Sequence, residues 1–298
     1  MVDEVRRTLT DGAAHGVKLR YAVEAEPLGT GGGVRNAIDL VGGLVLVLNG
    51  DILSDADLTA MRRFHADRRA AATIDIFPVP DPRAYGLVDT GPDGRVRRFI
   101  EKPESSEVTT NTINAGIYLL EREVLARIPE GTPSSIEREF FPGLLAAGLP
   151  FFGWVGDHYW LDIGSPAKYR QAQLDLMAGR VKTEARPPTD AAGCAIGGGV
   201  TIAPTATVTP PCVIGAGSRL EPGCRVGPST VLGAGCVVGP RATVTGAVLW
   251  GDVSVGAGAV LQDCIIGSGA RVGADCQVDP GVVIEADRVV PDNTKLET

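Results

Sequence analysis

From Ile196 to Val290 the aliphatic residues recur at a nearly constant interval of six positions. Ile196, Ile202, Val208, Ile214, Leu220, Val226, Leu232, Val238 and Val244 keep one register, and after a one-residue slip it resumes with Val255 and Leu261. A second slip leads to Ile266, Val272, Val278, Ile284 and Val290. Gly often follows the aliphatic residue, and a small residue often sits four places after it: Ala206, Cys212, Ser218, Cys224, Thr230, Cys236. Self-similarity at a fixed short period predicts a stack of coils, each burying its apolar face only against its neighbours.

The first part of the chain is patterned differently. Val17 to Val23 (VKLRYAV) reads as a strand, and Leu44 to Asp51 (LVLVLNGD) is a continuous apolar run ending in small polar residues. Asp55 to Arg69 has the spacing of a helix. Apolar strands alternating with helices predict a parallel sheet covered on both faces, with ligands outside the carboxyl ends of the strands. Asp51 stands at such an end. It serves equally well in an Asx turn or as the cap of the following helix, a cap that Ser54 or Asp55 could also supply.

Aromatic residues divide the chain, because fourteen of the fifteen lie at or before Tyr169 and only Trp250 lies beyond. Between the parts, Gly179 to Gly193 is polar and proline-bearing, as linkers are. The expected organisation is a domain over 1–178, a linker over 179–193 and the repeat domain over 194–298.

Charge narrows the functions open to it. A net charge of -8 in 298 residues argues against nucleic acid as a partner, since neutralising a phosphate backbone needs clustered Lys and Arg. Apolar runs stay well short of the ~18 residues of a membrane span, and the charged, helix-like start MVDEVRRTLTDGAAHG lacks a signal-peptide core. The expectation is a cytoplasmic protein with no membrane partner. Cys212, Cys224 and Cys236 are twelve residues apart, as are Cys264 and Cys276, and there is no C-x-x-C. That spacing suits reduced structural thiols better than zinc ligands or disulfides.

Four stretches carry candidate chemistry. In Glu26 to Ala37 (EPLGTGGGVRNA) a run of glycines precedes a helix-like segment, where backbone N–H groups could cradle a phosphate; yet no Lys-Ser or Lys-Thr follows, so it is not a P-loop. Arg97 to Glu104 (RRFIEKPE) sets Glu101 and Lys102 at a strand end stopped by Pro103. Asn114 to Leu120 (NAGIYLL) opens an apolar strand with a polar residue, and Tyr159 to Tyr169 (YWLDIGSPAKY) puts Asp162 before a glycine turn and a helix. Taken singly, a Glu-Lys pair is usually a solvated face and an Asp before Gly is usually a turn.

In this order the stretches, followed by the six-residue repeat, resemble the nucleotide-sugar pyrophosphorylases (sugar-phosphate nucleotidyltransferases), most closely the mannose-1-phosphate guanylyltransferase type. The repeat itself is similar to the hexapeptide repeat of left-handed parallel β-helices, in which three hexads make one triangular coil. The resemblance implies a Rossmann-like α/β nucleotidyltransferase domain followed by a left-handed parallel β-helix. It also implies that a sugar 1-phosphate attacks the α-phosphorus of an NTP and expels pyrophosphate, with Mg²⁺ as cofactor. By position, Glu26, Gly29 and Thr30 would face the nucleobase and ribose, making the glycine stretch a base-reading loop. Asp51 and Asp162 would bind Mg²⁺, Glu101 and Asn114 would hold sugar hydroxyls, Gly86 would bring backbone against the sugar, and Lys102 would grip the sugar phosphate. GTP and mannose 1-phosphate are the favoured substrates, with thymidylyl or uridylyl transfer to glucose 1-phosphate the alternative. The attacking phosphate, with a second pKa near ~6, is already an oxyanion at neutral pH and needs no general base.

The chain departs from that family in one respect: its G-G-x-G-T-R-L-R-P-L-T type loop is absent from these residues. The resemblance then starts the chain at the helix before the third strand, without roughly sixty residues that include strands 1 and 2, more than one βαβ unit. In a 3-2-1-4 order, VKLRYAV would be strand 3 and LVLVLNG strand 4. Exposed strand edges are expected at that gap, and the activity of the chain by itself is expected to be very weak or nil. Two further readings are a non-catalytic regulatory or oligomerisation subunit and a hexapeptide acyltransferase. The latter is opposed by His15, His65 and His158 all preceding the repeat. Homo-oligomerisation through the β-helix is the expected assembly.

Overall fold

The computed structural model describes residues 2–184, 187–190 and 192–298. Contacts divide them into two compact units, one running to Ile52 and including Ala56–Trp160, the other comprising Leu53–Asp55 and Leu161–Thr298.

The first unit opens with α1 (Val2–Leu9), which buries none of its residues. It continues through α2 (Gly29–Asn36) to β1 (Leu44–Leu48). Next come β2 (Ile52–Ser54), α3 (Leu58–Asp67) and β3 (Ala72–Pro78). After β4 (Gly86–Thr90), β5 (Val96–Glu101) and β6 (Thr112–Glu121) lie α4 (Arg122–Leu125), a π-helical turn (Ile136–Phe140), α5 (Phe141–Ala146) and β7 (Phe151–Trp154). β8 (Trp160–Asp162) then crosses into the second unit. The sheet runs β5-β4-β6-β3-β7, and β1 also pairs with β6.

Three sequence expectations are corrected here. The sheet is mixed rather than parallel: β1, β3 and β4 all run antiparallel to β6, and β3 with β7 is the parallel pair. Residues 17–23 form no strand. A strand needs a ladder, whereas the Val17 and Leu19 N–H groups bond back to Gly12 and Asp11 carbonyls, and Val17 and Val23 remain half exposed. The cap of α3 is Asp57, whose carboxylate accepts the Ala60 N–H at 2.9 Å, rather than Asp51, Ser54 or Asp55.

The geometry that matters for function is a fork on β6. One edge of β6 pairs with β3 along most of its length, while the other changes partner: Ile113 pairs with Leu87 of β4, and from Ile117 onward β1 takes over. At the changeover the register against β3 slips between Ile74 and Ile76, and Gly116 adopts a φ of 77°. A bulge of this kind bends the strand and ends one pairing so that another can begin. The other edge of β1 meets no strand among the described residues, leaving Leu46 and Leu48 exposed. Tyr118, Leu120, Ile74, Phe141 and Phe151 fill the core behind the sheet.

In the second unit, α6 (Pro166–Met177) precedes a parallel β-solenoid whose strands stack into three six-stranded sheets. Most strands pair with the strand 18 residues on, as Cys212 does with Thr230. The coils through Val231↔Val248 and Val248↔Ile265 are one residue shorter. That places the two slips at Val244–Leu249 and Leu261–Ile266, and it makes Leu249 an inward residue, 1% exposed, that the sequence register passes over. Each fully buried aliphatic side chain contributes roughly 1.5–3 kcal/mol. Ile196 and Ile202, on the first coil, have no coil beyond them and stay exposed. Cys212, Cys224 and Cys236 fall on three different walls, as their spacing requires, and all six cysteines are unbridged.

Candidate functional site

The glycine-rich stretch is helix, not loop. α2 starts at Gly29 and contains all four of its glycines, with no side-chain cap at Leu28. A helix start leaves N–H groups without partners, and an anion is one way to satisfy them. Here the Ser134 carbonyl does so, accepting Gly31 N–H at 2.8 Å and Gly32 N–H at 3.2 Å, while Ser134 N–H donates to the Leu28 carbonyl at 2.9 Å. The glycines permit that approach: a Cβ on Gly29 would lie 2.7 Å from Ser134 O, and one on Gly32 would lie 2.8 Å from Thr132 O. These two donors are therefore taken up by the protein itself. The glycine stretch can start a helix here because the Ser134 carbonyl accepts two of its N–H groups.

α2 is tied to the fork by Glu137. Thr30 Oγ1 donates to Glu137 Oε2 at 2.7 Å and accepts the Ile136 N–H at 2.9 Å, and Ser135 Oγ donates to the same Glu137 oxygen at 2.9 Å. Glu26 is exposed at the approach to α2, while its neighbour Glu24 accepts the Leu28 N–H at 2.8 Å.

At the fork, Gly86, Glu101 and Asn114 converge from three adjacent strands. Gly86 pairs with Glu101 across β4 and β5, and a Cβ on Gly86 would lie 2.9 Å from Glu101 Oε2 and 3.4 Å from the Asn114 Cβ. Asn114 Oδ1 accepts the Gly116 N–H at 3.0 Å, and its Nδ2 donates to the Tyr118 hydroxyl at 3.0 Å. Asn49, just past β1, donates its N–H to Gly116 O at 2.9 Å, and its side chain also hydrogen-bonds Tyr118. The fork thus carries amide and carboxyl groups beside a glycine that leaves them room, an arrangement suited to a polyhydroxyl ligand.

The electrostatics show how close these groups are. Burial pushes the Glu101 carboxyl above its usual range, and the charge of Glu137 adds to this, while Lys102 and Arg138 oppose it. Burial likewise raises the Tyr118 hydroxyl, with Asn114 opposing and Glu137 and Glu101 reinforcing. A half-buried carboxyl such as Glu101 beside another carboxyl side chain favours a hydroxyl donor or a nearby cation. Lys102 follows β5 with a φ of 50°, a conformation in which non-glycine residues are uncommon, and its N–H donates to the Tyr85 carbonyl at 3.1 Å. Its side chain is exposed beside Glu101.

Asp51 is exposed in the turn after β1. Asp162 belongs to the second unit and ends β8, where its Oδ1 accepts the Gly164 N–H at 2.8 Å and its Oδ2 faces Lys168 Nζ at 2.7 Å. Burial works against the Asp162 charge, yet the Lys168 and Gly164 hydrogen bonds and the Lys168 charge together hold its carboxyl below the usual range. Among the described residues no group of three or more His, Cys, Asp or Glu converges on a metal position. Mg²⁺ does not require one, since it usually takes one or two carboxylates and completes its shell with phosphate and water oxygens. A carboxylate such as that of Asp51 or Asp162 offers hard oxygens of the kind this ion takes, and Asp162 already faces a cation in Lys168.

Sequence reasoning missed Asn49, Tyr118, Glu137, Arg138 and Lys168. Asn49 and Tyr118 lie inside stretches already singled out, but nothing in a linear pattern shows that the β6 fork joins them. Glu137, in SSIEREFF, reads as part of a mixed amphipathic helix.

Residues 2–179 match the Nucleotidyl transferase family model, and residues 193–296 match that of the EIF2B subunit epsilon LbH domain. Over 171 residues the chain is 45% identical to a mannose-1-phosphate guanylyltransferase of Mycobacterium tuberculosis, covering 57% of this chain and 47% of that protein. It is 39% identical to mannose-1-phosphate guanylyltransferase 1 of Arabidopsis thaliana, covering 67% and 55% of the two chains. Against a UTP–glucose-1-phosphate uridylyltransferase of Synechocystis it is 33% identical, covering 61% and 50%. The chain spans about half the length of the curated relatives it matches. No helix among the described residues is long and apolar enough to cross a membrane.

Proposed function

Because the chain belongs to the nucleotidyl transferase family, we propose that it serves the transfer of a nucleoside monophosphate from an NTP to a sugar 1-phosphate, with GTP and mannose 1-phosphate as substrates. The convergence of Gly86, Glu101 and Asn114 at the β6 fork carries this reading. Glu101 and Asn114 would bind sugar hydroxyls, and Gly86 leaves room for the ring. Lys102 would hold the sugar phosphate, its charge lying beside the end of β5. Glu26, Gly29 and Thr30 would bound the nucleotide side. Thr30 joins that side to the sugar side through Glu137. Such groups act by positioning and charge neutralisation, the main needs of phosphoryl chemistry. Asp51 and Asp162 would hold Mg²⁺, which when bound neutralises the crowded phosphate charge.

Residues 1–298 contain no G-G-x-G-T-R stretch, so donors for the triphosphate would come from another segment and turnover by these residues alone is expected to be weak. The test is pyrophosphate release with Mg²⁺, GTP and mannose 1-phosphate, with Asp51→Ala as control. It is run on these 298 residues and on a polypeptide in which they follow a glycine-rich phosphate loop. Release only in the second, abolished by the Asp51 change, supports the proposal. No release in either, with intact partner chains co-purifying, favours a regulatory subunit. The uridylyltransferase relative makes UTP with glucose 1-phosphate the second substrate pair to try, with thymidine triphosphate beside it.

A further inference from the structure

Cys194 and Cys212 occupy one slot on two successive coils of the solenoid. Their strands pair them directly, and the two sulfurs lie 3.0 Å apart, Cys212 S–H donating to Cys194 Sγ. The other cysteines have different neighbours. By the register of the adjoining strands, Cys224 stacks between Ala206 and Ala242, and Cys236 between Ser218 and Val253. Cys264 stacks between Ala247 and Val282, and Cys276 between Ala259 and Thr294. Sulfur therefore stacks on sulfur at one place among six cysteines, and the repeat does not require it there, because small residues of other kinds fill the same slot elsewhere.

The position also has an approach. Cys212, 1% exposed, lines a cavity of about 210 Å³ together with Met177, Leu176, Gln173 and Val213. A cavity of that size holds several waters and admits small molecules up to about the size of benzene, hydrogen peroxide among them. Neighbouring strands lie about 4.8 Å apart, within the ~4.4–6.8 Å between Cα atoms that a disulfide accepts, and the sulfurs need to close by only ~1 Å to bond.

We propose that Cys194 and Cys212 form a redox modification site, at which a peroxide entering through this cavity converts the two thiols into a disulfide joining the first coil to the second. The Cys212 sulfur attacks one peroxide oxygen, the O–O bond breaks, and the departing oxygen leaves as water with the thiol proton. The Cys194 sulfur then attacks the Cys212 sulfenic acid, the S–S bond forms, the S–O bond breaks and a second water leaves. The two thiols lose two protons and two electrons, and one hydrogen peroxide is reduced to two waters. Burial, with the Cys194 sulfur adding to it, pushes the Cys212 thiol up to about 12. The reaction is accordingly slow at neutral pH, since thiolate is the attacking species.

The test is thiol counting on the intact folded chain. Reduced protein is freed of reductant, exposed to hydrogen peroxide, quenched, unfolded and alkylated, and its mass and peptides are then measured. Before alkylation the expected product is about 2 Da lighter than the reduced protein for the two hydrogens lost; it then takes up four alkyl groups in place of six and yields a peptide joining Cys194 to Cys212. Reduction before alkylation restores all six. Cys212→Ser, confirmed folded by circular dichroism, takes up five alkyl groups before and after peroxide. Six alkyl groups on treated wild-type protein, a bridge between other cysteines, or sulfinic acid at Cys212 without a bridge would each overturn the proposal.

Discussion

Thr30 Oγ1 donates a 2.7 Å hydrogen bond to Glu137 Oε2, joining residues 107 positions apart in the chain. The same hydroxyl accepts the Ile136 N–H, so one side chain satisfies a backbone donor and anchors the carboxylate that raises Glu101. Thr30→Val keeps the shape and removes both bonds. It is expected to cost about 1 kcal/mol in urea unfolding, at the modest end because Thr30 is exposed, with Thr30→Ser restoring it.

Glu137→Gln tests the electrostatic link. Removing that charge takes away a contribution that raises the Glu101 carboxyl, so its pKa should move down. An NMR titration of the Glu101 side chain measures the shift; no movement would mean the two carboxyls do not sense one another.

Glu101 also affects stability. Its folded pKa lies above the ordinary 4.5, so the folded protein holds that proton to higher pH than the unfolded chain does. Stability therefore falls as pH rises through this window and stays lower above it. Glu101→Gln should raise Tm at pH 7 by roughly 2 °C, a small effect because the group is half exposed and screened, and leave it unchanged below pH 4.5. A rise that persists equally in acid would point to a cause other than ionisation.

Asp162 carries the opposite sign. Its folded pKa is depressed, so the stability it contributes is present above the ordinary 3.8 and is lost as pH falls through the folded value. Lys168→Ala removes both lysine contributions and leaves burial, so acid unfolding should begin at higher pH. Circular dichroism followed from pH 6 to pH 2 reads this directly.

Two glycines separate close packing from helix propensity. Gly32→Ala puts a Cβ 2.8 Å from both Leu28 Cβ and the Thr132 carbonyl. It should destabilise by about 1–3 kcal/mol despite the better propensity of Ala. Gly143, in α5, has nothing within 4 Å of the same position. Gly143→Ala should therefore be neutral or stabilise by up to ~1 kcal/mol, as measured in the same denaturant series.

Much of the architecture is legible in the linear pattern because it depends on local periodicity. The six-residue register announces the solenoid, since each coil meets only its neighbours and the same slot recurs. β1 follows from an apolar run ended by small polar residues, β5 from a strand stopped by Pro103, and β6 from the apolar stretch that Asn114 opens, while Asp162 before Gly164 marks the turn into α6. What the pattern could not supply is who pairs with whom. Only the tertiary structure makes β1 antiparallel to β6, leaves residues 17–23 without a ladder, and turns the glycine run into a helix capped by Ser134, because each outcome is decided by a partner far along the chain. The same holds for the candidate site. Gly86, Glu101 and Asn114 are named in sequence order, but their meeting, and the arrival of Asn49, Tyr118 and Glu137, depends on a bulge at Gly116 that lets one strand edge change partners.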